Sequence, residues 1–150
     1  MLVVLMLTLT LAGCSSAKSA DLSAVLSDVN AKYSGATDGL RTLTDVSDLD
    51  AYYGIAADNV KQFAAEIKTD TSQAPVEIVL VEAVDADAAA NVKAALDRRY
   101  ASIVSLYTSY SPEELSVAEA CEVTTSGNYV TMVVAEDYAG IMEIVNAAIG

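Results

Sequence analysis

The stretch Cys121-Glu122-Val123-Thr124-Thr125-Ser126-Gly127-Asn128-Tyr129-Val130-Thr131-Met132-Val133-Val134 decides the fold class. Gly127-Asn128 sits between two runs rich in β-branched and aromatic residues, the pattern of a two-residue hairpin turn. Pairing outward from that turn sets Thr125, Val123 and Cys121 opposite Val130, Met132 and Val134, which gives one apolar face. Glu122, Thr124 and Ser126 meet Val133, Thr131 and Tyr129 on the other face. A one-residue slip would exchange the faces, so the register is well specified.

Upstream, Pro75 to Ala83 holds Val76, Ile78, Val79, Leu80 and Val81, an almost unbroken apolar run expected of an inner strand buried on both faces, with Glu82 marking its emerging end. Val60 to Lys68 fits a helix through Val60, Phe63 and Ile67, and a strand face through Phe63, Ala65 and Ile67; it is read as a strand. Four helices complete the chain. Asp21 to Tyr33 carries Leu22, Val25, Leu26, Val29 and Tyr33 at helical spacing behind Ser19 or Asp21 as N-cap. A short helix has Ser47 and Asp50 as a capping box and Gly54 as its stop. Asp85 or Asp87 opens the longest helix, with Ala89, Val92, Leu96, Ile103, Tyr107 and Tyr110 on one side, an interruption at Arg99 and Tyr100, and Ser111-Pro112 as the end. Ile141, Ile144, Val145, Ala148 and Ile149 form a closing helix capped by Asp137. The predicted fold is α+β: a small antiparallel four-stranded sheet with a ββαββα-like core, covered by helices packed on one face, preceded by an N-terminal helix.

The 150 residues are 53% hydrophobic, enough for one core. Part of that content is the apolar run at residues 2–11, which has signal-peptide length and is too short to span the ~30 Å hydrocarbon layer. It ends in Leu11-Ala12-Gly13-Cys14, which resembles the lipobox of bacterial lipoproteins. That resemblance implies a signal peptide over residues 1–13, lipidation of Cys14, a tether over residues 14–20 and a single domain over residues 21–150. Met1-Leu2-Val3 lacks the Lys or Arg that opens such a segment, so a start a few codons upstream is expected. Ser15 to Ala20 reaches about 20 Å at full extension, which would hold the domain near the membrane.

All eight basic and all 21 acidic residues follow Cys14, so the mature part carries the whole charge of −13. With no basic cluster beyond Arg98-Arg99, nucleic acid is not an expected partner. There is no histidine, which excludes Ser/His/Asp and Cys/His catalysis, and zinc sites built on His or Cys are excluded with it. With Cys14 lipidated, Cys121 has no partner for an intrachain disulfide, and its inward register favours an inert thiol.

Several segments, in order, resemble a known family: Tyr52-Tyr53-Gly54-Ile55, Glu77-Ile78-Val79-Leu80, the helix with Val92-Lys93 and Arg98-Arg99, Tyr110-Ser111-Pro112, and Gly127-Asn128-Tyr129-Val130. They are similar to the Gram-positive lipoproteins called domain of unknown function 4358, over about residues 40–150. The resemblance implies a surface-lipoprotein setting and an α+β domain, and brings no catalytic residues.

Candidate sites have competing structural explanations. Asp45, Asp48 and Asp50, or Asp85 and Asp87, could offer oxygens to Ca²⁺, yet lack the Gly and terminal Glu of an EF-hand loop, and helix capping accounts for them; no metal and no cofactor is expected. Arg98 and Arg99 could grip a carboxylate or phosphate, or could pair with acids of the same domain. Tyr52 and Tyr53 are candidate ligand contacts, and with Tyr107 and Tyr110 could line a groove or seal the core edge. The expected function is that of a lipid-anchored protein of the extracytoplasmic face of the cell membrane, a binding or structural module, not an enzyme, working with an envelope protein or cell-wall component. A carboxylate-dependent hydrolase and a small-ligand or cation receptor are the alternatives.

Overall fold

The computed structural model describes residues 19–70 and 76–150. Leu11, Ala12, Gly13 and Cys14, the expected signal and lipidation residues, lie outside the described residues, as does Pro75. The elements in order are α1 (Leu22–Lys32), α2 (Ser34–Thr37), β1 (Arg41–Leu43), α3 (Val46–Tyr53), a 3-10 turn (Ala57–Asn59), β2 (Val60–Ile67), β3 (Glu77–Ala83), α4 (Ala86–Tyr110), α5 (Pro112–Glu119), β4 (Glu122–Ser126), β5 (Tyr129–Val134) and α6 (Tyr138–Ile149). The fold is α+β, with an N-terminal helix first. Its sheet has five strands in the order β1-β2-β3-β5-β4, each pair antiparallel.

The hairpin forms in the expected register, with Thr125 opposite Val130 and Val123 opposite Met132. The left-handed φ needed at the first turn position falls to Gly127 at +56°, where the absence of a Cβ removes the cost. Val60–Ile67 is a strand, because β1 and β3 both pair with it. The expected sheet of four strands is corrected to five: β1 is only three residues long, too short for alternation to show in its sequence.

A second correction concerns the layers. All residues of β3 and β5 are buried, which requires cover on both faces of the sheet. On one face Val79, Val81, Val130, Met132 and Val134 pack with Leu49 of α3 and Val92, Leu96 and Ile103 of α4. On the other, Ile78, Leu80 and Val133 pack with Leu22, Val25, Leu26 and Val29 of α1 and Ile141 and Val145 of α6. An isolated helix of 11 residues would be marginal in water. Each buried Leu or Val of α1 contributes roughly 1.5–3 kcal/mol, so packing holds it in place.

Asp21 caps α1 through bonds from the Ser23 and Ala24 N–H groups. Asp45, not Ser47, caps α3: its carboxylate accepts from the Ser47 N–H at 2.8 Å, and Asp48 reaches back to the Asp45 N–H. Asp85 caps α4 at the Ala88 N–H. α4 is continuous, and its buried stripe is interrupted at Arg99 and Tyr100 as expected, both being only half-buried. Arg99 turns instead to a buried acid. Tyr100 places its hydroxyl 2.9 Å and 2.8 Å from the carbonyls of Ala118 and Cys121, bracing α5 and the turn into β4. Pro112 does more than end α4: it stands at the start of α5, where its missing N–H has no helical partner to lose.

Candidate functional site

Three glutamates sit within the inner strands, and the sheet pleat assigns each a face. Glu77 of β3 points toward α4, whereas Glu82 of β3 and Glu66 of β2 share the α1 face. All three are buried, at 4–7% exposure. A carboxylate in an apolar strand needs charged or hydrogen-bonding partners, and each finds a different set.

The Glu77 carboxylate takes a two-pronged grip from Arg99, Nε to Oε2 at 3.1 Å and Nη2 to Oε1. The Tyr53 hydroxyl adds a longer bond at 3.4 Å. Burial, followed by the field of Glu77, pushes the Tyr53 phenol far above its ordinary range and keeps it a neutral donor. The guanidinium of Arg99 is held charged by its bonds to Glu77. Of the four residues proposed as ligand contacts, the fold thus brings Tyr53 and Arg99 together, but onto a partner inside the protein. Tyr52 and Arg98 are not part of this group: Arg41 stacks over the Tyr52 ring and donates to its hydroxyl at 2.7 Å, and Arg98 lies exposed on α4.

Glu82 is buried, so it does not mark an emerging strand end. Lys61 donates to it at 2.6 Å and Gln62 at 2.5 Å. Burial alone would raise this carboxyl, but the bonds from Gln62 and Lys61 outweigh it and hold the group below the usual carboxylate range. Gln62 also donates to the Ala20 carbonyl at 2.7 Å and accepts from the Leu22 N–H, while the Ala20 N–H donates to the Tyr129 hydroxyl. This cluster clamps the beginning of the domain onto the sheet, where the expected tether ends.

Glu66 has a different surrounding. Asn30 of α1 and Thr42 of β1 both donate to its Oε1 at 3.0 Å. Its Oε2 and the Asn30 Oδ1 are shielded from solvent and receive no hydrogen bond from any described group. Both side chains line a cavity of about 440 Å³ between α1 and the β1–β2 edge.

Cys121 is buried just before β4, where its thiol donates to the Val117 carbonyl at 3.1 Å and burial pushes its pKa up. Tyr107 is buried under α4. Tyr110, one turn on, is 80% exposed, and Leu106, the residue before Tyr107, is 44% exposed. These two, with Ala101, Ser102, Ser105 and Ser109, line a shallow depression, with no acid among its described lining residues.

The sequence reading missed all three strand glutamates as site residues. The available signal was an acid inside an otherwise β-branched buried run, which cannot stay unpaired there.

The architecture defines a small α+β domain, one five-stranded antiparallel sheet closed by helices on both faces. The chain belongs to the family called domain of unknown function 4358, whose model matches residues 35–135. The match covers the whole sheet, α4 and α5, while α1 and α6 flank it. No curated protein and no solved structure matches the chain.

Proposed function

We propose that this chain is a lipid-anchored module of the extracytoplasmic face of the bacterial cell membrane, working by contact with another envelope protein. The anchor rests on the apolar segment and the sequence Leu11-Ala12-Gly13-Cys14. The observation that carries the contact reading is the depression on the last turns of α4, where Leu106 and Tyr110 remain exposed beside small residues and none of the described lining residues is acidic.

The hydrolase alternative fares worse on geometry. Glu77 lies on the opposite face of the sheet from Glu66 and Glu82. Glu82 pairs in register with Gln62, four residues along β2 from Glu66, a separation of about 13 Å at the strand rise. That exceeds the roughly 6.5–9.5 Å spanned by paired carboxyls in inverting glycosidases.

The test has two arms. Metabolic fatty-acid labelling and membrane fractionation compare the wild type with Cys14→Ala, both given a basic start upstream; label and membrane retention should disappear in the variant. A wild type that is unlabelled and soluble would defeat the anchor. In cells, a photo-crosslinking phenylalanine analogue placed at Tyr110 should yield a discrete protein adduct, and the same analogue at exposed Glu143 of α6 should not. Identical adduct patterns from the two positions would defeat the contact surface.

A further inference from the structure

We propose that the cavity between α1 and the β1–β2 edge binds a small organic cation, a protonated primary amine whose ammonium group sits between Glu66 and Asn30. The inference is independent of the anchor and of the α4 surface.

The walls are built by three elements. Ser23, Ser27 and Asn30 follow one another at helical spacing along α1, just beside the apolar stripe that seats the helix on the sheet. Thr42 comes from β1 and Thr44 from the position just after it, Ala64 and Glu66 from β2. Glu66 is 7% exposed and carries the only ionisable side chain among the described lining residues. One of its oxygens is saturated by Asn30 and Thr42, while the other receives nothing from the described residues. Because the Asn30 amide nitrogen is committed to Glu66, its oxygen is left as a second acceptor without a donor. A folded domain leaves a few such acceptors, and Glu114 Oε2 is another here, but these two are adjacent and one is on a carboxylate, which favours a donor-rich visitor.

The donor count selects the visitor. Ca²⁺ takes six to eight oxygens, usually with several carboxylates, and this cavity has one. An ammonium group has three N–H donors, which Glu66 Oε2, Asn30 Oδ1 and one hydroxyl of the wall can accept. The hydrocarbon body of an amine then lies against Leu26 and Ala64, within a volume typical of small-ligand pockets. Both free oxygens are shielded from water, so entry requires Asn30 to swing aside; it is only partly buried, on the surface of α1. The overall charge of −13 raises the local concentration of any cation.

The experiment is calorimetric titration of the detergent-solubilised full chain with n-butylammonium and benzylammonium chloride, with n-butanol and KCl as comparisons. Saturable uptake of an amine, none of the alcohol, and a loss of about tenfold or more in affinity in Glu66→Gln are expected. Ser27→Phe, at an exposed position on α1, fills the mouth while leaving Glu66 and Asn30 in place, and should also abolish uptake. It decides the matter if Glu66→Gln does not melt cooperatively. The proposal is overturned if neither amine binds the wild type saturably, if a folded Glu66→Gln or Ser27→Phe variant binds as the wild type does, or if K⁺ displaces the amine at equal concentration.

Discussion

Arg99→Met should cost this domain about 2–3 kcal/mol of stability, and removing its partner as well should restore most of it. Arg99 holds Glu77 through two charge-assisted bonds, with Glu77 6% exposed and Arg99 37% exposed at the side chain. Breaking a fully buried pair costs roughly 3–5 kcal/mol, because the surviving charge is left without compensation, whereas an exposed pair contributes about 0–1. A pair buried at the acid end and open at the guanidinium end falls between these limits. Methionine keeps most of the alkyl packing of Arg99, so the loss reports on Glu77. In Glu77→Leu/Arg99→Met no charge remains among Val79, Tyr53 and Ile103, and stability should return to within about 1 kcal/mol of wild type. Urea unfolding at constant m-value gives both numbers, and the single variant should melt roughly 10 °C lower. Added NaCl at about 0.5 M should change the difference little, since the acid is shielded from the ions. The reasoning fails if Arg99→Met lies within about 0.5 kcal/mol of wild type, or if the double variant is no more stable than the single one.

Glu82 has its pKa lowered in the folded state, so it stabilises the domain above its ordinary value of 4.5, and that stability disappears as pH falls through the folded value. Glu82→Gln should therefore flatten the acid limb of a stability-versus-pH curve below 4.5, and an unchanged limb would contradict the clamp at Ala20. Gly54 closes α3 at φ +68° with open space around it, so Gly54→Ala should cost about 1 kcal/mol from backbone strain alone, and Gly54→Asn less, by thermal melts. Tyr138 has its phenol pushed up to about 12 by burial and by Glu122. Absorbance titration at high pH should lose one late-ionising tyrosine in Tyr138→Phe; retention of the full late amplitude would refute the assignment. Cys121 should react with a thiol reagent at least about a hundredfold more slowly in the folded protein than in urea, and rapid labelling of the native state would show that the segment before β4 opens locally.

How far the sequence disclosed this structure depended on whether a signal was local. Gly127-Asn128 specified a hairpin because both the turn and the register are properties of adjacent residues, and the pairing of Thr125 with Val130 follows without reference to the rest of the chain. Asp21, Asp85 and Gly54 announced helix ends for the same reason. β1 was invisible because three residues carry no period, and it exists only because Thr42 and Leu43 find Glu66 and Ala65 on a neighbouring strand. The interruption of the apolar stripe of α4 had a tertiary origin: Arg99 reaches Glu77, and Tyr100 reaches the carbonyls of Ala118 at the end of α5 and of Cys121 just after it. The second helical layer was also hidden, although the continuous apolar run of β3 had already implied cover on both faces.

The three glutamates connect these errors to function. A helix tolerates a stray acid on its solvent side, but an inner strand of a doubly covered sheet has no solvent side, so Glu66, Glu77 and Glu82 each had to recruit partners from elsewhere in the chain. Glu77 and Glu82 are satisfied by cations and amides that simultaneously fasten α4 and the start of α1 to the sheet, and their arrangement explains itself as structure. Glu66 is the exception. Its environment supplies two donors to one oxygen and none to the other, beside a second acceptor in the same state and a cavity that the two side chains line. Among the strand glutamates the other two are fully engaged. Glu114 Oε2 on α5 is also shielded without a partner among the described residues, but Glu66 alone pairs that state with a neighbouring orphan acceptor and a cavity, which is why the α1 cavity, and not the Arg99 cluster, is the place to look for a ligand.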